Sequence, residues 1–137
     1  MKGYDMKVKI EKQSDGTYIA YNTTGDNLQV IGSGDTVAEA REDFLNSVQE
    51  MIESFQEDGE AVPAALTEAP EFLFDVGSLF EYYSVINVSA FARMVGINDS
   101  LMRQYKRGSA YISDSQLGKI EEGIHRLGQE FSSLRLV

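Results

Sequence analysis

The sequence predicts a two-part chain: a small α+β domain, with an antiparallel sheet and one covering helix, followed by an all-α domain. Three observations carry this. Short runs of strand-forming residues separated by turn signals occupy residues 7–32, before any helical pattern appears. One long amphipathic run then ends at Gly59, and a stretch holding both prolines follows it. From about residue 76 to residue 131 the periodicity is helical.

Each element has a local reason. Lys7–Lys12, KVKIEK, alternates polar and apolar residues as a half-buried strand does. Ser14-Asp15-Gly16 is a turn signal, and Thr17–Tyr21, TYIAY, makes the second arm of a hairpin. After a second turn at Gly25-Asp26-Asn27, Leu28–Gly32 reads as a third strand. Thr36 and Glu39 have the spacing of a capping box, and Val37, Ala40, Phe44, Val48, Met51, Ile52 and Phe55 then recur at three- and four-residue intervals. That helix is expected to cover one face of the sheet, with carboxylates over much of its remainder.

Residues 59–70, GEAVPAALTEAP, read as a connection, which divides the chain into domains 1–62 and 71–137 around a linker at 63–70. Glu71–Phe74 either closes the first domain as a strand or opens the second. Val76–Ile86 offers a first helix of the second domain, with Val76, Leu79, Phe80 and Tyr83 inward. Ser113 and Gln116 cap a last helix carrying Leu117, Ile120, Ile124, Leu127 and Phe131 at core spacing. The second half is therefore expected to be a four-helix bundle of minimal size. Leu134–Val137 is an alternating tail able to add a strand, including one across a dimer.

Composition bounds the function. The 137 residues include 14 aromatics and no cysteine, which provides for packed cores and excludes disulfides and thiolate metal sites. No apolar run approaches the roughly 20 residues that span a bilayer, and Met1–Lys12 lacks a secretory apolar core, so a soluble cytoplasmic protein without a membrane partner is expected. The net charge is −10, unevenly spread. Residues 1–70 carry 5 Lys/Arg against 14 Asp/Glu, and residues 71–137 carry 7 against 8. An acidic first half suits a basic protein partner, or is simply solvated surface.

Against that background Val88–Gly108, VSAFARMVGINDSLMRQYKRG, is a basic island: Arg93, Arg103, Lys106 and Arg107 face only Asp99. Ser89 is expected to cap a first helix through Val95. Gly96 reverses the chain, Ile97 plugs the turn, and Asn98 caps a second helix that ends at Gly108. Met102 and Tyr105 face inward, leaving Ser100, Arg103, Gln104 and Arg107 outward. This is the pattern of a helix-turn-helix, whose second helix enters the major groove. Arg bridges the acceptors of guanine, Gln pairs with adenine, and Ser and Lys serve phosphates or base edges. An ordinary helical hairpin with a solvated polar face has the same hydrophobic pattern. Asp99 sets a carboxylate near phosphate, although it suits a helix N-terminus. Leu101 falls on an outward position, open to a thymine methyl or to a neighbouring subunit.

The order of these parts resembles the HicB-like antitoxins, in the version with a C-terminal lambda-repressor-like (XRE-type) helix-turn-helix domain. The resemblance runs over nearly the whole chain, and its particular marks are the strings DGTYIAY, IGSGDTVAEAREDFLNSVQEM, FLFDVGSLFEYYS, GINDSLMRQYKRG and KIEEGIHRLGQEFSSLRLV. The resemblance implies a partial RNase H-like first domain that neutralises a small, basic, mRNA-cleaving HicA-like toxin. It further implies a second domain that forms a homodimer or higher homo-oligomer and represses its own operon on double-stranded operator DNA. Asn98, Ser100, Arg103, Gln104 and Arg107 match the family's DNA-facing positions, and with Ser89 and Lys106 they form the expected DNA-binding set. Asp99 and Leu101 stand where such repressors more often have uncharged polar residues.

No catalytic, cofactor or metal site is expected. Asp15, Asp26 and Asp35 lie in turn signals, where Asp serves the backbone, rather than as a convergent carboxylate set for Mg²⁺. His125 is the lone histidine, with no second His or Cys to join it. The alternative is a stand-alone transcriptional regulator whose first domain dimerises or senses a ligand.

Overall fold

The computed structural model describes residues 6–25 and 27–137; Met1–Asp5 and Asp26, the latter within the second expected turn, lie outside them. The chain is α+β and divides into two units, the first ending at Tyr82 and the second running from Tyr83 to Val137. The first holds β1 (Lys7–Lys12), β2 (Tyr18–Asn22), β3 (Ile31–Gly34), α1 (Val37–Glu57), β4 (Glu71–Phe74) and α2 (Val76–Tyr82). The second holds α3 (Val88–Val95), α4 (Asp99–Arg107) and α5 (Asp114–Ser133).

In the first unit the strands form one mixed sheet in the order β3-β2-β1-β4. The two hairpin pairs are antiparallel, while β4 runs parallel to β1, with Val8 opposite Phe72 and Ile10 opposite Phe74. The alternation in β1 and β2 sends Val8, Ile10, Tyr18 and Ala20 to one face, where Phe44, Val37 and Ala40 of α1 bury them. Phe44 meets Phe72 edge-on at 6.1 Å, and the Arg41 guanidinium lies 4.5 Å from the Phe72 ring and 4.9 Å from Tyr82.

The expected capping box is formed with one change. Thr36 accepts from the Glu39 amide at 3.1 Å, but the Glu39 carboxylate accepts from the Asp35 amide at 2.8 Å. The first turn forms because the Asp15 carboxylate accepts from the hydroxyl and amide of Thr17, bonds that hold its pKa below the ordinary value.

Three expectations are corrected. The sheet is not wholly antiparallel, because β4 completes it from the far side of the chain. The expected linker at 63–70 is largely part of the first unit: Ala65 and Leu66 form a buried 3₁₀ turn after Pro63 and join the core below the sheet. The boundary accordingly falls at Tyr82, beyond α2, and the second unit has three helices rather than four. Asp75 explains why α2 stays with the sheet. One carboxylate oxygen accepts from the Ser78 amide at 2.8 Å at the start of α2, and the other from the Lys12 amide at 3.0 Å at the end of β1. Glu81 on α2 in turn accepts from the Val37 amide of α1 at 3.0 Å.

The third strand also starts later than expected, at Ile31. The Asn22 side chain accepts from the Val30 amide and donates to the carbonyls of Thr24 and Leu28, each at 2.8 Å. The Asn22 amide reaches the Val30 carbonyl at only 3.4 Å, so residues 28–30 are held largely by a side chain. In the second unit Phe91, Ala92, Ile97, Met102, Tyr105 and Ile120 are buried. Leu117 and Phe131, in the first and last turns of α5, are not: they are 42% and 63% exposed. The tail from Leu134 is extended and forms no strand. Among the described residues no helix is long and apolar enough to cross a membrane.

A Cβ on Gly32 would collide with the Phe44 backbone and lie 2.6 Å from the Ala40 carbonyl oxygen. Gly32→Ala should therefore lower the unfolding free energy by about 3 kcal/mol, read as a fall in the urea midpoint without a change of slope. On the face of the sheet away from α1, the Tyr21 hydroxyl donates to Glu11 at 2.6 Å, and this bond first, with burial second, pushes the phenol up to about 12. The resulting stabilisation is fully present below the unfolded value of about 10 and is lost as pH rises through about 12. Glu11→Gln should return the phenol toward the ordinary value in an ultraviolet phenolate titration.

Candidate nucleic-acid interface

Helices α3 and α4 are joined by only three residues, and each of the three has a separate task. Gly96 adopts φ 77, ψ 33, the left-handed conformation, and its amide closes α3 on the carbonyls of Ala92 and Arg93. Ile97 is buried beneath the turn, and its amide also donates to the Ala92 carbonyl, at 2.9 Å. Asn98 caps α4, its side-chain oxygen accepting from the amides of Ser100 at 2.9 Å and Leu101 at 3.2 Å. Gly108, at φ 75, ends the helix. The turn therefore leaves α4 with one buried side, Met102 and Tyr105, and one open side.

The expected DNA-binding residues fall into two groups. Ser89, Arg103, Lys106 and Arg107 come together on the wall of a shallow cleft of about 490 Å³, where the start of α3 meets the second half of α4. There Arg103 donates to the Ser89 hydroxyl at 3.3 Å. Asn98 and Ser100 stand at the opposite end of α4, and Gln104 lies half-buried between the groups. Ser89 does not cap α3 as expected. The helix begins two residues earlier than that cap implies, at Val88, because Asn87 accepts from the Ala90 amide at 2.9 Å. Leu101, expected outward, is half-buried.

The sequence reading missed one polar contact. Arg93, near the end of α3, donates to the Asp99 carboxylate at 2.9 Å across the turn. The two are six residues apart, a spacing that brings no side chains together on a single helix, so only the reversal at Gly96 makes the pair. With Arg93 so engaged, the cations of α4, Arg103, Lys106 and Arg107, have no carboxylate partner among the described residues, and all are exposed. Lys106 and Arg107 sit in the last turn of α4, where the helix dipole favours positive charge, and Asp99 in its first turn, where it favours negative. Chemically, this surface offers guanidinium and ammonium donors to anionic oxygens and polar side chains along one helix face. Among the described residues no group of His, Cys, Asp or Glu is arranged to hold a metal ion.

Because Asn98 satisfies two amides at once, Asn98→Ala should cost about 1 kcal/mol, while Asn98→Asp should keep most of it. Thermal melts of the two variants read the difference. Comparison of the chain with protein-family models, with curated proteins and with solved structures yields no match.

Proposed function

We propose that this chain is an antitoxin and autorepressor of the HicA/HicB-like kind. In this reading its acidic first unit, a partial RNase H-like domain, neutralises a small basic mRNA-cleaving toxin. Its second unit is a helix-turn-helix domain that acts in the cytoplasm as a homodimer on double-stranded operator DNA. The observation that carries the reading is the division of charge between two separately packed units. The first unit, to Tyr82, has 5 Lys/Arg against 17 Asp/Glu and the second has 7 against 5, with Arg103, Lys106 and Arg107 exposed on α4.

Supporting the DNA half, the three-residue turn buries Ile97, Met102 and Tyr105 and leaves a polar helix face open. Supporting the antitoxin half, Glu42, Glu50, Glu53 and Glu57 of α1 are exposed and have no ion-pair partner among the described residues. Such a surface attracts a basic protein at long range. The exposed Leu117, Phe131, Leu134 and Leu136 on α5 and its tail support self-association of the second unit. The chemistry is binding rather than catalysis.

Co-expression tests the antitoxin half: the full chain should co-purify with the small basic protein encoded beside it and relieve the growth arrest that protein causes. Binding to operator DNA without any such partner would favour the stand-alone regulator instead. Gel-shift titrations test the DNA half. Arg103→Ala should weaken operator binding by about tenfold, more than Gln104→Ala, whose side chain is half-buried. Lys106→Ala should weaken binding to all sequences alike and reduce the salt slope by about 1.

A further inference from the structure

Asp99 is the residue of α4 that the reading above leaves without a role. It is not the cap, since Asn98 takes both amides. It is not buried, its side chain being 34% exposed. Arg93 occupies Oδ2 at 2.9 Å, and Oδ1 accepts no hydrogen bond among the described residues. A carboxylate is thus held in a fixed orientation, with one oxygen unspent, at the first position of α4.

We propose that Asp99 is a specificity residue that selects cytosine through its exocyclic amine; this rests on the DNA-binding reading of α4. In a helix-turn-helix the N-terminal residues of the second helix face base edges. A carboxylate only accepts hydrogen bonds. In the major groove guanine presents acceptors, and thymine an acceptor and a methyl group. Adenine presents a donor beside the acceptor N7, and cytosine a donor with no acceptor next to it on the same base. Cytosine is therefore the base that an acceptor-only group tolerates best. Arg93, 66% exposed, is the positioning residue. It offsets the repulsion between Asp99 and the phosphates and leaves guanidinium N–H groups to meet a backbone oxygen.

The test is selection of duplexes from a random-sequence pool by the full-length chain and by Asp99→Asn, followed by affinity measurements on single-base variants of the selected site. The full-length chain should enrich cytosine at one position of each half-site, and replacing that base should weaken binding about tenfold. Asp99→Asn, which supplies both a donor and an acceptor, should lose the cytosine preference, shift toward adenine, and leave every other position of the motif unchanged. Arg93→Ala should lower affinity for all sites and weaken the cytosine preference without replacing it by another base, because Asp99 remains an acceptor but loses its tether. If Asp99 only tethers the turn, Asp99→Asn melts at a lower temperature but selects the same motif, and the assignment is overturned alone. A pool from which the full-length chain enriches no motif overturns the DNA-binding reading as well.

Discussion

The first unit depends on how closely α1 lies on β3. Gly32 and Gly34 of β3 have no room for side chains, because the backbone of α1 around Ala40 and Phe44 fills that space. This approach lets the Phe44 ring reach the centre of the sheet. It also brings polar side chains of α1 over the outer edge of β3. Asp43 accepts from the Ser33 amide at 2.9 Å, and Ser47 donates to the Ile31 carbonyl at 3.2 Å. An edge strand is a template for unwanted pairing, and here part of its unpaired backbone is satisfied by the helix that packs on it. The remaining edge of the sheet is β4, whose partner β1 and following helix α2 are bound together by Asp75.

The second unit rests on a smaller constraint of the same kind. Gly96, Ile97 and Asn98 close one helix, fill the space below the turn and open the next, so the direction of α4 is set within three residues. Gly123 does for α5 what Gly32 does for β3: the side chains of Val95 and Phe91 fill the place of its missing Cβ. A short helix such as α4 is marginal alone, and its persistence comes from Met102 and Tyr105 buried beneath it. Its outward side chains are free of that duty. They can differ in chemistry without changing the fold.

What was legible in the sequence was whatever depends on near neighbours. The hairpin, the cap at Thr36, the stripe of α1 and the Gly96–Asn98 turn are all local patterns. The division of the chain was not, and the reason is physical. A parallel pair such as β1 and β4 needs a long crossover and has no turn signal to announce it, so the prolines at 63 and 70 drew the boundary too early. Asn87 and Ser89 are both good caps, and which one acts depends on where the chain enters α3. The spacing of Leu117 and Phe131 revealed an apolar stripe but carried no information on what covers it. The Arg93–Asp99 contact spans a reversal, which no helical periodicity encodes.

That contact changes how the charge of the basic island should be weighed. Counted along the chain, Asp99 subtracts from four cations and looks like a defect in a phosphate-facing surface. In space it is bound to Arg93, so the neutralisation falls at the start of α4, one turn from Arg103 and about two turns from Lys106 and Arg107. Lys106 and Arg107 in the last turn therefore feel Asp99 least, since at physiological salt charges more than about 8 Å apart are largely screened from one another. The same screening isolates the exposed carboxylates of α1 from one another less than from distant charge, because they lie within a few turns of one helix. Their repulsion is a standing cost to the first unit. Arg41, the one cation on α1, lies against the Phe72 and Tyr82 rings. Among the described residues no ion pair offsets that repulsion, which is the electrostatic reason to seek a basic partner for that unit rather than for α4.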